Sequence, residues 1–311
     1  MKIRVNGGLI TLAIIVAILA VSTASIFIRL AQKEAPSLVI ATLRLTFSTL
    51  MLAPIALTRY KGELKSFSRA DWLLALFSGF FLAIHFATWI TSLSMTSIAS
   101  SVVLVSTGPL WVAIFSPIFL KEAINRRTII GLSLAFLGGV VISLSGMCTI
   151  NKVLICSTFS QNLNKTSLLG DLLALFGAFA VAGYLILGRK LRSRVSLIPY
   201  IFVVYGMSAF VLAVFMTAAR QSPFGLSGMT YLWIFLLALL PQIIGHSTYN
   251  WALKYLSATL VAVGTLGEPI GSTILAYFIL KETPGILELS GGLFILIGIF
   301  IALFSPKVKP N

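Results

Sequence analysis

The sequence predicts an all-α integral membrane protein, with ten transmembrane helices arranged as two inverted five-helix repeats. Three observations predict it. The chain is 58% hydrophobic and only 10% charged. Its two halves match one another at an offset of 160 residues. Its basic residues fall mostly in alternate connections between apolar runs.

Composition sets the class. A soluble chain carries about a quarter charged residues, which cover its surface. This one does not, so its outer surface must face lipid. The net charge of +15 would suit nucleic acid, but the basic residues sit in short loops, where topology signals belong. No nucleic-acid partner is expected. The two cysteines, Cys148 and Cys156, share one loop and lack companions for a metal site. No metal or cofactor is expected. A local disulfide and two free thiols both stay open.

A helix needs about 20 apolar residues to cross the hydrocarbon core. Ten segments qualify: 8–31, 36–57, 72–95, 97–120, 128–146, 168–188, 196–219, 230–253, 257–280 and 285–304. Lipid offers the backbone no partners, so each must be a helix. The first run follows Lys2 and Arg4 but is longer than the roughly 7–15 apolar residues of a secretory signal, so it reads as an uncleaved span. Pro36, Pro284 and Pro306 mark helix starts or stops. Several connections are so short that consecutive helices must be antiparallel neighbours.

The duplication is visible residue by residue. Lys121-Glu122 closes one apolar stretch and Lys281-Glu282 another, each twelve residues after a proline, Pro109 and Pro269. Gly131 matches Gly291, Gly138 matches Gly298, Thr88 matches Thr248 and Leu93 matches Leu253. Residues 1–146 thus form one unit, 168–311 a second, and 147–167 a loop between them. Five spans per unit is odd, so the second unit enters the membrane upside-down relative to the first. Inverted repeats of this kind suit a carrier that rocks about a midplane site. The basic residues orient the whole. With the N-terminus inside, the inner segments hold Lys2, Arg4, Arg59, Lys61, Lys65, Arg69, Lys121, Arg126, Arg127, Arg189, Lys190, Arg192, Arg194, Lys254, Lys307 and Lys309. The outer ones hold only Arg29, Lys33, Lys152, Lys165, Arg220 and Lys281. Both termini are therefore expected in the cytoplasm.

Polar groups inside spans are costly, and they usually face the bundle interior or a wet cavity. Gln242, His246, Tyr249 and Asn250 fall at i, i+4, i+7 and i+8, one helical face of the eighth span. The third span, its repeat partner, shows His85, Thr88, Trp89 and Ser92 at a similar spacing. The two faces read as opposite walls of one cavity, or as glue between helices. His85 and His246 are the chain's two histidines. Each serves either as a proton carrier or as a neutral hydrogen-bonding group. Trp89 and Tyr249 offer stacking surfaces, with Trp111 and Tyr184 as further aromatic candidates. Arg44 lies too deep in the second span to snorkel and must turn toward a carboxylate, carbonyls or a substrate anion. Glu268, in Gly267-Glu268-Pro269, is the one acid deep in an apolar run, and its repeat counterpart is Gly108. It reads as a proton-coupling group or as a partner of Arg44 or a backbone N–H. The glycines at 131, 138, 139, 291, 292 and 298 on the fifth and tenth spans read as close helix contacts, within the chain or between copies. The oligomeric state is not legible.

Together, Ala41-Thr42-Leu43-Arg44-Leu45, Gly267-Glu268-Pro269 and Leu-Lys-Glu closing the fourth and ninth spans resemble the drug/metabolite transporter superfamily, in its ten-helix EamA branch. The resemblance implies a plasma-membrane carrier, often an exporter, of amino acids, related metabolites or drugs. It also implies a central cavity lined by the first, third, fourth, sixth, eighth and ninth helices. The expected protein is therefore a secondary transporter of small organic solutes. Its partners are a small-molecule solute and the lipid bilayer, with protons as a candidate coupling ion. The rival is an integral membrane enzyme acting on lipid-soluble substrates. It would need paired carboxylates, a histidine-rich metal set or a nucleophile motif, and the sequence offers none. A channel would want a charged or carbonyl-lined filter, and nothing points to one.

Overall fold

The computed structural model describes residues 7–96, 101, 104–122, 124–145, 148–151, 153–156, 165–275, 278–279 and 286–303. The first repeat supplies α1 (Gly7–Ser22), α2 (Ala24–Ala31), α3 (Ser37–Thr58), the short α4 (Lys61–Lys65), α5 (Arg69–Met95), α6 (Gly108–Phe119) and α7 (Arg126–Ser145). The second supplies α8 (Lys165–Arg192), α9 (Leu197–Ala218), α10 (Gly228–Leu237), a π-helical stretch (Ala238–His246), α11 (Ser247–Ala252), α12 (Ala258–Thr265), α13 (Glu268–Leu275) and α14 (Ile286–Leu303). Among the described residues, six continuous helical runs are long and apolar enough to cross a membrane: Gly7–Ala31, Ser37–Thr58, Arg69–Met95, Leu168–Arg192, Leu197–Ala218 and Gly228–Ala252. Their outward faces carry large bare apolar side chains such as Leu12, Leu50, Phe77, Phe210 and Phe235. In water this would be an aggregation surface; in lipid it is the solvated one.

The fourth and ninth spans depart from the unbroken helices expected over 97–120 and 257–280. Both are interrupted at matching points, just before Gly108-Pro109 and Glu268-Pro269. Proline has no N–H to give to the preceding turn and suits the first turn of a new helix. Broken backbone at membrane depth is tolerated only where protein or a cavity covers it, and the cavity described below lies there. The inter-repeat loop departs as well. It contains two short antiparallel strands, β1 (Cys148–Asn151) and β2 (Val153–Cys156), with Cys148 and Cys156 opposite one another. The second Lys-Glu pair and both chain termini lie outside the described residues.

The inversion can be read from the packing. Among the described residues the most extensive helix contact joins α7 to α14, which are equivalent helices of the two repeats. Gly131 abuts Gly298 and Gly138 abuts Gly291, so the two helices run antiparallel. Equivalent helices that cross antiparallel require repeats of opposite orientation. Four of the six glycines singled out on the fifth and tenth spans, Gly131, Gly138, Gly291 and Gly298, thus make a close contact within the chain. The same symmetry recurs at single atoms. Gln32 Nε2 donates to the Ile90 carbonyl at 3.0 Å, and Arg192 Nε donates to the Asn250 carbonyl at 3.0 Å. Both members of these pairs are 160 residues apart. Where α5 meets α8, the His85 carbonyl lies 3.5 Å from a Cβ built on Gly177; where α1 meets the π stretch, the Ala17 carbonyl lies 3.5 Å from one built on Gly245. Interhelical hydrogen bonds from side chains contribute about 0.6–2 kcal/mol each in a membrane; the glycine approaches add close backbone packing.

Polar links at the helix ends join segments that alternation places on one side. Glu63 accepts from the Ser196 N–H at 2.7 Å, and Asp71 pairs with Arg194 at 2.7 Å; all four belong to inner segments. On the opposite side Glu34 accepts from the Ser227 N–H (2.9 Å) and hydroxyl (2.7 Å) and from the Thr230 hydroxyl (2.5 Å), capping α10. The Thr230 hydroxyl, then the Ser227 groups, hold the Glu34 carboxyl below its ordinary range. A depressed folded-state value gives stability that is present above the usual glutamate range and lost as pH falls through it. Thermal unfolding in detergent should therefore come earlier at about pH 3.5 than at about pH 6, and Glu34→Gln should flatten part of that slope. An unchanged slope would show that the cap does not contribute.

Candidate functional site

A cavity of about 70 Å³ lies where the broken spans meet α1, α3, α5, α8 and the π stretch. Six of the eight residues singled out from sequence line it: Arg44, His85, Trp89, His246, Tyr249 and Glu268. Val21 and Ala24 from the first span, Val105, Ser106, Gly108 and Pro109 from the fourth, and Val181, Leu185, Ala262 and Thr265 complete the wall. The first, third, fourth, sixth, eighth and ninth spans all contribute, as the family resemblance implies, and the second joins them through Arg44.

Gln242 and Asn250 sit behind this wall. Gln242 is fully buried, and its Oε1 accepts from Arg44 Nε at 2.9 Å. Asn250 is also fully buried; its Nδ2 donates to the Tyr184 hydroxyl at 2.5 Å and to the His246 carbonyl at 2.9 Å. The π stretch explains the difference from a uniform α-helical face. Its i→i+5 bonds wind more residues into each turn. That swings Gln242 away from the side of Tyr249 and toward the side of Asn250. Pro241 lies inside the stretch and has no N–H to give to an ordinary helical turn. The third span has no such stretch, so the two walls are not mirror images.

The cavity wall is an aromatic cluster around one cation. His85 and Trp89 stack at 5.8 Å with 15° between planes. Phe86 meets the His246 ring edge-on at 5.4 Å, and His246 meets Tyr249 edge-on at 6.4 Å. The Arg44 guanidinium lies 4.0 Å from the Phe86 ring centroid, a cation–π distance. Phe86 carries no polar atom, so its spacing gave it no weight beside its neighbour His85. His85 Nδ1 lies 3.0 Å from the Gly177 carbonyl, an acceptor, so Nδ1 carries a proton. That leaves Nε2 free to accept when the ring is neutral. Glu268 opens α13, and its backbone carbonyl accepts from the Ser22 hydroxyl at 3.2 Å. Of the roles open to it, an ion pair with Arg44 is not made among the described residues, although both face the cavity. Trp111 packs against Phe115 and Phe179 instead of lining the space. Ser106 lies two residues before Gly108-Pro109 and Thr265 two before Gly267-Glu268-Pro269, so each hydroxyl residue sits at the end of the helical segment that precedes a break.

A second polar cluster ties four helix ends together. Lys121 turns the chain with φ 55° at the end of α6, a left-handed helix stop, and presents Glu122. One Glu122 oxygen takes Arg189 Nε at 2.6 Å, and the other accepts from the Ala258 N–H at 3.1 Å. Arg189 Nη1 also donates to the Leu253 carbonyl at 2.5 Å. This clamp joins the fourth, sixth, eighth and ninth spans, all of which line the cavity. The sequence shows the Lys-Glu pair twice but gives no hint of what Glu122 grips.

The EamA-like transporter family model matches residues 8–144 and again residues 168–304. The chain belongs to the EamA-like transporter family. It is a multi-pass membrane transporter of the drug/metabolite transporter superfamily with two EamA repeats, and it is not an enzyme. Two proteins of Archaeoglobus fulgidus, each described as an uncharacterized transporter, are similar to it. One is 23% identical over 89% of this chain and 91% of its own length, the other 25% identical over 93% and 94%. An uncharacterized transporter of Bacillus subtilis is 23% identical over 70% of this chain and 68% of its own. One solved structure shares the fold of this EamA-like transporter, with a TM-score of 0.75 at 18% identity, over 96% of this chain and 97% of that one.

Proposed function

We propose that this EamA-like transporter is a secondary active carrier that exports small organic solutes, such as amino acids or related metabolites, by alternating access. It works in the plasma membrane with both termini in the cytoplasm. The observation that carries the reading is one cavity, between inverted repeats, whose wall gathers Arg44, His85, Trp89, His246, Tyr249 and Glu268 from both halves. Gln242 and Asn250 support that wall from behind by holding Arg44 and the turn at His246. A space of about 70 Å³ takes a few waters, not a metabolite. Loading therefore requires the walls to part, and parting toward one side at a time is alternating access. The Glu122–Arg189 clamp closes the end that the loop charges put in the cytoplasm.

A solute screen in proteoliposomes under two pH gradients tests the carrier. Saturable, exchangeable flux of an organic solute is expected; product formation without flux would refute it. His246→Ala should lower flux about tenfold or more without lowering membrane abundance, because it removes one edge of the aromatic wall and one hydrogen-bonding group. Unchanged flux would remove His246 from the cargo path. Proton coupling belongs to this reading through Glu268, with Arg44, His85, His246 and Tyr249 as the other titratable groups at the cavity. Glu268→Gln should abolish the response to a pH gradient while sparing solute exchange. A response that survives in the variant would show that Glu268 is not the coupling group.

A further inference from the structure

Arg44 is a buried and restrained cation at the cavity. Its side chain is fully buried. On one edge, Nε is tied to Gln242 Oε1 at 2.9 Å, and one face lies 4.0 Å from the Phe86 centroid. Gln242 is itself fixed: its backbone carbonyl accepts from the Tyr205 hydroxyl at 3.4 Å and the Ser247 hydroxyl at 3.2 Å. The opposite edge carries Nη1 and Nη2. Both are buried and have no protein partner among the described residues, and Arg44 lines the cavity. Leaving charged donors unmatched in a dry bundle is strongly unfavourable, unless something polar periodically takes them. Nearby, the Trp89 Nε1 and the Tyr249 hydroxyl are buried and unmatched in the same way. Donors from both repeats thus converge on one space with no protein acceptor assigned to them.

A guanidinium held by a ring 4.0 Å away and by one side bond, with its two-pronged edge free, has the geometry that grips a carboxylate with two parallel bonds. We infer that Arg44 is the carboxylate receptor of this transporter: the cargo is an organic acid or amino acid whose carboxylate docks on Nη1 and Nη2. Its apolar body lies against Trp89, Tyr249, Val21 and Leu185. The charge favours a monoanionic group. There is one guanidinium, and Glu268 faces the same cavity, so a phosphate-type dianion would bring a second negative charge with nothing to balance it. The inference rests on the transport reading and narrows it to a class of cargo.

The test uses the purified full-length protein in detergent and follows its unfolding temperature with matched pairs: benzoate against benzamide, leucine against leucinamide, and phenylphosphonate as the dianionic arm. At least one acid should stabilise the protein while its amide does not, and phenylphosphonate should bind more weakly than benzoate. Arg44→Lys, which keeps the charge but loses the fork, should weaken acid binding about tenfold or more. Amides that bind as well as acids, or no stabilisation by any acid, would overturn the assignment. That comparison is made on the native protein, so it decides even if Arg44→Lys does not fold. Counterflow in proteoliposomes separates the two readings. Acid binding without counterflow leaves the receptor standing and refutes transport, whereas counterflow restricted to neutral or cationic solutes refutes the receptor and leaves transport standing.

Discussion

Replacing Gly131 or Gly298 with leucine should remove most of the folded protein from the membrane. Each glycine lets α7 and α14 approach backbone to backbone: a Cβ on Gly298 would lie 2.7 Å from the Ala135 nitrogen and 2.8 Å from its Cβ, and one on Gly131 would lie 2.9 Å from the Ala302 nitrogen. Backbone cannot yield as a flexible side chain can, so the helices must separate. Overpacking typically costs about 1–3 kcal/mol, and a collision with backbone lies at or above the upper end. Against a marginal native state that is enough to cut abundance severalfold. Two glycines serve as controls. A Cβ on Gly62 meets nothing within 4 Å, and one on Gly292 meets only Ile270 at 4.0 Å. Gly62→Leu and Gly292→Ala should leave membrane abundance unchanged on a fluorescence size-exclusion trace. If all four variants behaved alike, the α7–α14 contact would not be the scaffold described here.

Breaking the clamp should open the inner end. Glu122 and Arg189 keep 20% and 25% of their side-chain surface exposed, so the bond is partly solvated and its loss costs only roughly 1.5–2 kcal/mol, as for a hydrogen bond to a charged group. About 1.4 kcal/mol is already tenfold in the ratio of open to closed forms. The reporter is a single thiol, Ala262→Cys, on the buried cavity wall, in a chain whose native cysteines are replaced by serine. Glu122→Gln or Arg189→Gln should speed its labelling from the inner face about tenfold. The double variant should add little, because both substitutions remove the same bond. Unchanged labelling, or two fully additive effects, would show that the pair does not hold the helices closed.

Most of the architecture could be read in the chain. Apolar runs of membrane length, an odd number of them per repeat, and matches such as Gly131 with Gly291 lead to inverted halves without any coordinates. Arg44 and Glu268 were legible as cavity residues because an ionisable group in an apolar span has few other places to go. The finer placement was not. Gln242 falls on the side of Tyr249 only if the eighth span is α-helical throughout, and nothing in the chain marks the π-helical winding over Ala238–His246. The breaks at Gly108-Pro109 and Glu268-Pro269 were marked by proline, but a proline in a span can kink a helix or end it, and the choice is made by neighbouring helices. Phe86 is missing from a sequence reading because an apolar residue in a span looks like any other. Glu122 is missing because its partners, Arg189, Leu253 and Ala258, come from distant segments.

The measurement that bears most directly on two oppositely inserted halves is the sidedness of two single thiols. Gly62→Cys lies in the connection after the second span, and Gly228→Cys lies in the equivalent connection of the second repeat; a Cβ at either position meets nothing within 4 Å. In intact cells, with Cys148 and Cys156 replaced by serine, a membrane-impermeant maleimide should label Gly228→Cys readily and reach Gly62→Cys only after lysis. Equal labelling of both before lysis would place the two connections on one face, make the halves parallel, and contradict the account.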